Sequence, residues 1–140
     1  MSDMTLLDWN ELTTVLVERH EYVGFHHGGL RVTTSNELGR ISVHLRRRRE
    51  SIVAIAEVGW LGAFDPAELL GWSGAFDDLE LVLLDGAIVL RAVMANATIP
   101  AIDDLVCRLA TNAAWLASTA RPDRVELSRG EQYDLFALHA

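Results

Sequence analysis

Hydrophobic residues near the start of the chain recur at the spacing of an amphipathic helix. They share one helical face: Leu6, Trp9, Leu12, Leu16 and Val17. Thr5 stands just before this pattern, and Asp8 follows three residues later, which is close to a capping box and favours the helix dipole. We therefore expect the first element to be a helix that Thr5 caps and that weakens near His20.

The hydrophobic period then changes from that of a helix to that of strands. Residues 22–25 begin an extended segment, and residues 26–29 indicate a turn because two adjacent glycines allow positive φ. Three strands are predicted, at residues 30–34, 40–46 and 52–58. The middle one alternates strictly between apolar and polar side chains, as in a half-buried antiparallel strand. Residues 47–51 are expected to form a polar connection.

The second half of the chain contains clear start and turn signals. Asp65 followed by Pro66 predicts a short helix through Trp72, because aspartate caps a helix and proline suits its first turn. Asp85-Gly86 predicts a tight hairpin, since both residues tolerate the left-handed region. The hairpin joins two predicted strands, at residues 79–84 and 87–95.

A long amphipathic helix is predicted to follow Thr98 and Pro100 and to end at Arg121-Pro122. Its apolar stripe consists of Ile102, Leu105, Val106, Leu109, Ala113 and Leu116. Cys107 lies beside this stripe and is expected to be a buried, unreactive thiol, because reactivity requires exposure and a lowered pKa. The acidic pair that precedes it, Asp103-Asp104, is explained by the helix dipole.

These elements occur in the order α-β-β-β-α-β-β-α. This order predicts an α+β fold with a five-stranded, mostly antiparallel sheet and helices packed on one face. Residues 1–122 are expected to form a single domain. Residues 123–140 form a mixed C-terminal tail, which is apolar enough to dock on the body of the domain or on a partner.

Charge and hydrophobicity exclude several classes of function. The net charge of −8 disfavours nucleic-acid binding, which depends on neutralising phosphates. The longest apolar runs are far shorter than the ~20 residues that span a bilayer, so no membrane partner is expected. Asp3 and Asp8 stand where a signal peptide would be basic. We therefore expect a soluble cytoplasmic protein.

The element order and several local features resemble the type III secretion chaperones and the YbjN-like group of sensory regulators. Four segments over residues 5–120 carry the resemblance: Phe25-His26-His27-Gly28-Gly29-Leu30-Arg31-Val32, Asp65-Pro66-Ala67-Glu68-Leu69-Leu70, the apolar hairpin of residues 79–95, and Ile99-Pro100-Ala101-Ile102. The resemblance implies a non-enzymatic protein that binds unfolded or extended protein segments, commonly as a homodimer. It implies no catalytic residue and no cofactor.

Aromatic residues cluster around the predicted middle helix. Residues 59–64 and 71–76 each place a tryptophan one position after a glycine and end in Gly-Ala-Phe. The candidate partner or dimer interface consists of Trp60, Phe64, Leu69, Leu70, Trp72 and Phe76. Tryptophan is frequent at binding hot spots, yet these residues could equally fill the core. The sequence leaves both alternatives open.

A basic stripe is predicted on the open face of the sheet. Arg40, His44 and Arg46 share one face of their strand, and Arg31 lies on the neighbouring strand. The arginines are candidate charge contacts for an acidic partner segment. Residues 46–49 could also be read as a phosphate-binding patch, but a solvated connection is favoured because the whole chain is acidic.

Histidines offer a different reading of the chain. His20, His26, His27 and His44 could approach one another in a hairpin, but a metal site needs three or four ligands in fixed geometry, and no supporting spacing is present. We expect these histidines to lie in solvent, and we assign no metal ligands. Protein binding is thus the leading hypothesis for the function. The second hypothesis is a small-ligand-binding sensory or regulatory module, and the third is an enzyme or metal protein that uses His26, His27 and His44.

Overall fold

A computed structural model describes residues 8–76 and 78–120 as one sheet with helices. The helices are α1 (Trp9–Arg19), α2 (Pro66–Trp72) and α3 (Ile99–Ala117). The strands are β1 (Tyr22–His26), β2 (Gly29–Asn36), β3 (Gly39–Arg48), β4 (Ser51–Trp60), β5 (Glu80–Leu84) and β6 (Ala87–Ala95). A single turn of 3-10 helix, Leu61–Ala63, precedes α2. The predicted tail of residues 123–140 lies outside the described residues.

The six strands form one antiparallel sheet in the order β1-β2-β3-β4-β6-β5. Strands β4 and β6 are direct neighbours in the sheet, and the chain between them runs through α2 and β5. The predicted α+β fold is confirmed, but the described residues contain six strands, one more than predicted. The extended segment at residues 22–25 is a full strand, because Val23 pairs with Val32 across a turn in which His27 and Gly28 have positive φ.

The connection between β3 and β4 is also shorter than predicted. Arg47 and Arg48 continue β3 and pair with Ile52 and Ser51, so only Arg49 and Glu50 form the turn between the two strands. Arginine side chains are tolerated at this end of the sheet because they reach solvent while their backbone groups stay paired.

One face of the sheet is covered by helices. Helix α3 packs across β2, β3, β4 and β6. The predicted stripe on α3 is confirmed, since all of its members are buried: Ile102, Leu105, Val106, Leu109, Ala113 and Leu116. Ala54 and Ala56 of β4 belong to the same core, and their small side chains suit the close approach of a helix.

Helix α1 is present but begins differently from the prediction. Asp8 is its N-cap, and its carboxylate accepts hydrogen bonds from the backbone N–H groups of Asn10 and Glu11. The predicted cap, Thr5, lies outside the described residues, as does Leu6. Leu12 and Leu16 are fully buried, whereas Val17 is 56% exposed and does not belong to the buried face. Near its C-terminal end the helix therefore presents a narrower apolar stripe than the sequence indicates.

The middle of the chain follows its turn chemistry closely. The Asp65 carboxylate accepts a hydrogen bond from the backbone N–H of Ala67, which confirms the predicted start of α2. Asp85 and Gly86 have φ values of 50° and 87°, so both adopt the left-handed conformation expected of a tight hairpin. These local signals set where α2 begins and where the β5–β6 hairpin turns.

The opposite face of the sheet carries a second, smaller apolar cluster. Val53, Ile55, Leu84 and Val89 are buried there and pack together. Within the described ranges, no helix is long and apolar enough to cross a membrane.

Two glycine substitutions test the packing of this fold. A Cβ at Gly29 would overlap the carbonyl oxygen of Leu45 in the adjacent strand, whereas a Cβ at Gly71 of α2 would meet no atom within 4 Å. We expect Gly29→Ala to lower the free energy of unfolding by about 1–3 kcal/mol through overpacking. Gly71→Ala, the matched control, should be neutral or raise it by up to about 1 kcal/mol, because alanine favours a helix. Urea unfolding monitored by circular dichroism would measure both, and equal losses would contradict the close strand approach at Gly29.

Candidate functional site

An apolar groove lies between α2 and the terminal strand β5. Its volume is about 380 Å³. It is lined by residues of both elements and of their connections: Leu61, Pro66, Leu69, Leu70, Ser73, Leu81, Val82, Leu83 and Ile88. Two of the leucines are conspicuously open to solvent, since Leu70 is 76% exposed and Leu83 is 58% exposed. The groove therefore presents apolar side chains to any molecule that approaches this end of the sheet.

Helix geometry explains one wall of the groove. Leu69 is buried and anchors α2 on the core. Leu70 is the next residue and lies about 100° further round the helix, which places it over the groove. Trp72 lies about 60° from Leu69 in the other direction. The two flanks of α2 therefore present different surfaces, with Leu70 on one flank and Trp72 on the other.

Strand alternation explains the opposite wall. Leu81 and Leu83 occupy alternate positions of β5 and pair with Leu90 and Ile88 of β6, which belong to the main core. They therefore project from the face of the sheet that carries the helices. Among the described residues, β5 pairs only with β6, so its outer edge carries backbone groups that no described strand satisfies.

The six apolar residues that were predicted as a partner or dimer interface lie in different environments in the structure. Phe64 is 2% exposed and packs against Gly59, where an added Cβ would lie 3.1 Å from its ring, so for this residue the core alternative holds. Trp60 is half-buried, with its ring against Gly86. Phe76 is half-buried against the main core. Only Leu69 and Leu70 of the six line the groove.

Trp72 belongs to a second exposed feature. Its ring packs edge-on against Trp115 of α3, with ring centroids 5.5 Å apart. Trp115 is 45% exposed. The pair lies on the flank of α2 away from Leu70, so it forms a separate aromatic surface.

The groove residues contributed by β5 were missed by sequence reasoning. The sequence predicts only an apolar hairpin for Leu81, Val82 and Leu83. The uninterrupted apolar run of this strand was the signal that could have found them, because a strand that is apolar on both faces needs cover on both faces. What the sequence did not reveal is that, in the part of the chain that the structure describes, this strand ends the sheet and the short α2 is the helix beside it.

The predicted basic residues lie on the sheet face opposite the helices. Arg31 pairs across strands with His44, and the alternation of β3 places Arg40 and Arg46 on the same face as His44. Arg31 lies over the Tyr22 ring, 5.9 Å from its centroid.

Arg40 forms an ion pair with Glu21. A hydrogen bond from Ser35 is the main cause that lowers the pKa of Glu21, desolvation opposes it, and the positive charge of Arg40 lowers the pKa further. The charge of Arg40 is therefore partly compensated within the chain.

A polar cluster joins the end of α1 to α3. His20 Nε2 lies 2.7 Å from Asp103 Oδ1, and Arg19 Nε lies 2.7 Å from Asp103 Oδ2. One turn further along α3, Cys107 brings its Sγ within 4.8 Å of the ligand atoms of His20 and Asp103. Sequence reasoning did not bring these residues together, because they lie on two helices that are distant in the chain.

Three expectations about this cluster are corrected by the structure. The His20 side chain is only 2% exposed and therefore does not lie in solvent. Asp103 is buried and lies beyond the first turn of α3, so its ion pair with Arg19 and its hydrogen bond with His20 account for it better than the helix dipole does. Cys107 is exposed rather than buried, because it projects beside the apolar stripe and not within it.

The cluster does not contain an activated nucleophile. Desolvation, reinforced by the negative charge of Asp103, raises the pKa of the Cys107 thiol. A cysteine nucleophile requires the opposite shift, since the thiolate is the reactive form. The Cys-His-Asp composition alone therefore does not indicate catalysis.

The histidines of the β1–β2 turn also approach one another. The rings of His26 and His27 lie 4.3 Å apart, and those of His26 and His44 lie 5.6 Å apart. Across residues 8–76 and 78–120, however, the trio of ligand atoms that converges within 4.8 Å comprises His20, Asp103 and Cys107. In these ranges, the ligand atoms therefore converge at His20, Asp103 and Cys107 and not at the hypothetical site of His26, His27 and His44.

Comparison with known proteins identifies the fold. No family model matches the sequence, and no curated protein matches it. Among solved structures, the chain is similar to the Yersinia pestis type III secretion chaperone SycH, crystallised in complex with a stable fragment of YscM2, with a TM-score of 0.55 and 15% sequence identity. The similarity covers 78% of this chain and 99% of that one. It confirms the chaperone-like fold, whereas the likeness to the YbjN-like group stays a prediction.

The contribution of Asp103 to stability can be measured directly. We expect Asp103→Ala to lower the free energy of unfolding by about 1–3 kcal/mol, because His20 Nε2 would stay buried without its acceptor. The control is Asp104→Ala on the same helix, which removes an exposed ion pair with Arg108 and should cost at most about 1 kcal/mol. Urea titration compares the two variants. Equal effects would show that burial of the His20–Asp103 pair contributes nothing.

Proposed function

We propose that this domain is a non-enzymatic, chaperone-like module that captures an extended apolar segment of a partner protein along the groove between α2 and β5. The observation that carries the proposal is the juxtaposition of exposed Leu70 and Leu83 with the outer edge of β5. The similarity to a chaperone that was crystallised with a fragment of another protein supports a protein partner.

Both parts of the groove suit an extended polypeptide. A segment that pairs with the outer edge of β5 would find main-chain hydrogen bonds there, which is the mode of β-strand addition. Its alternate side chains would enter the groove beside Leu81 and Leu83, which lie two residues apart on the same face. Each fully buried leucine-sized side chain contributes about 1.5–3 kcal/mol. Two such side chains, together with main-chain hydrogen bonds to β5, would hold a partner peptide in the groove without any catalytic group.

The basic residues provide a second set of contacts in this proposal. Arg31, Arg40 and Arg46 lie on the face opposite the helices, so they would meet a flanking acidic part of the partner and not the portion in the groove. Charge contacts of this kind affect association rate and selectivity more than affinity.

The homodimer is proposed to form through the other flank of α2. The Trp72–Trp115 pair is partly exposed and lies away from Leu70, so a second copy could cover it and leave the groove open. Tryptophans concentrate binding energy at interfaces, which makes this pair the natural centre of a symmetric contact.

A small apolar ligand is the second candidate occupant of the groove. The groove volume of about 380 Å³ lies within the range of about 300–1,000 Å³ typical of ligand pockets. An extended peptide is favoured because the strand edge offers a row of backbone donors and acceptors that an apolar ligand would not use.

Peptide selection tests the capture proposal. Peptides selected from a random library on the immobilised full chain should carry apolar residues at alternate positions. In fluorescence polarisation, Leu70→Glu should weaken their binding at least about tenfold, because a charge would have to be desolvated in the groove.

Leu38→Glu is the matched control for this experiment. Leu38 is 54% exposed and lies in the β2–β3 turn, so the same substitution there should leave peptide affinity unchanged. Selected peptides that bind wild type and Leu70→Glu equally would refute capture in the groove. Displacement of the peptides by small apolar molecules, combined with selection of no common pattern, would favour the ligand-binding alternative.

Sedimentation velocity tests the dimer separately. The wild-type chain should sediment as a dimer at micromolar concentrations, and both Trp72→Glu and Trp115→Glu should shift it to a monomer, because each introduces a charge into the aromatic contact. Leu38→Glu again serves as the control and should remain dimeric. A monomeric wild type, or a Trp115→Glu variant that sediments unchanged, would disprove the proposed interface without affecting the peptide result.

A further inference from the structure

We propose that His20, Asp103 and Cys107 form a binding site for one Zn²⁺ ion between α1 and α3. The three residues offer one nitrogen, one oxygen and one sulfur ligand, and these atoms all lie within 4.8 Å of one another. The inference does not depend on the groove or on its occupant, so it stands or falls separately from the proposed function.

Helix geometry preorganises two of the ligands. Asp103 and Cys107 are four residues apart on α3, which places their side chains one turn apart on the same helical face. The same spacing holds two metal ligands on one helix in HExxH zinc enzymes. The site therefore needs only one ligand from elsewhere.

His20 supplies that ligand from a well-anchored position. It ends α1, and its backbone N–H donates to the carbonyl of Leu16. Its side chain is 2% exposed, with Nε2 2.7 Å from Asp103 Oδ1. Within the described ranges, the other ring nitrogen, Nδ1, is buried and has no hydrogen-bond partner. Nε2 is therefore the ring nitrogen that would bind the ion, and its present partner, Asp103, is itself a member of the cluster.

The distances are compatible with zinc after small movements. Zinc binds nitrogen and oxygen ligands at about 2.0–2.2 Å in tetrahedral geometry, which separates two such ligands by about 3.3 Å. The present separation of 2.7 Å between His20 Nε2 and Asp103 Oδ1 would need to open by about half an ångström. Cys107 Sγ lies within 4.8 Å of both atoms and would also have to move closer, because zinc binds sulfur at about 2.3 Å.

The mixture of ligand types selects the metal. Mg²⁺ and Ca²⁺ prefer sites made of oxygen atoms, whereas an N/O/S set suits the borderline-soft Zn²⁺. Binding would release the thiol proton of Cys107, because a coordinating thiol is deprotonated by the ion. With three protein ligands and Cys107 exposed, the fourth position would be left to water.

Arg19 is the competitor for this site. Its Nε pairs with Asp103 Oδ2 at 2.7 Å, and the positive charge opposes an incoming cation. The Arg19 side chain is 62% exposed, so the guanidinium can move into solvent without being left desolvated. Zinc would then replace Arg19 and tie the end of α1 to α3.

Metal titration of the purified full chain tests the proposal. After removal of metals with a chelator, the protein should bind one Zn²⁺ per chain in competition with a chromophoric indicator, and zinc should raise its melting temperature. Cobalt(II), used as a spectroscopic substitute, should give tetrahedral d–d bands and a thiolate-to-cobalt charge-transfer band. Cys107→Ser should abolish the charge-transfer band and weaken Zn²⁺ binding at least about tenfold.

Matched variants separate this site from adventitious binding. Asp104→Asn alters the neighbouring exposed carboxylate and should bind zinc as wild type does. Arg19→Gln should bind zinc more tightly, a gain that a purely structural role of the cluster would not produce. Cys107→Ser is expected to fold, because the side chain is exposed. The absence of zinc binding, a cobalt spectrum without the thiolate band, or equal weakening by Cys107→Ser and Asp104→Asn would each overturn the proposal.

Discussion

The packing of α3 across the sheet is the constraint on which the rest of the structure depends. A helix of 19 residues is about 28 Å long, and α3 packs against β2, β3, β4 and β6. Strand β5 lies at the far end of the sheet order, where the seven-residue α2 is the adjacent helix. Because the long helix covers the middle of the sheet and a short helix lies at this edge, apolar side chains of α2 and β5 are incompletely covered. The groove is a direct consequence of this unequal cover.

The same helix also explains the polar cluster. Its apolar stripe faces the sheet, so residues beside the stripe face α1 or solvent, and Asp103 and Cys107 are two of these. A carboxylate at such a boundary is partly desolvated and requires polar partners, and Arg19 provides an ion pair while His20 provides a hydrogen bond. Docking of α1 on α3 thus creates a set of ligand atoms that neither helix holds alone. The groove and the cluster lie on different parts of the fold and depend on different contacts.

Prediction from the sequence succeeded where a local signal decides the outcome. The Asp65-Pro66 helix start, the Asp85-Gly86 hairpin and the stripe of α3 each depend on a few neighbouring residues, and the structure has all of them. Prediction failed where the extent of a strand depends on the strand with which it pairs. The segment at residues 22–25 counts as a strand because β2 pairs with it, and β3 extends to Arg48 because β4 satisfies its backbone. The first error missed a short strand and the second shortened one, because pairing with the neighbouring strand, and not the hydrophobic pattern of the segment alone, decides where a strand begins and ends.

The sequence by itself determined the order of the helices and of five of the six described strands, their approximate bounds, the face of α3 that is buried and the kind of fold that results. These properties follow from periodicity and turn chemistry, which act over a few residues. Only the tertiary structure decided that Phe64 fills the core while Leu70 faces solvent, and that Leu83 lines a groove. It also decided that His20 meets Asp103, 83 residues away. Exposure and long-range contacts depend on which element covers which, and no single segment carries that information.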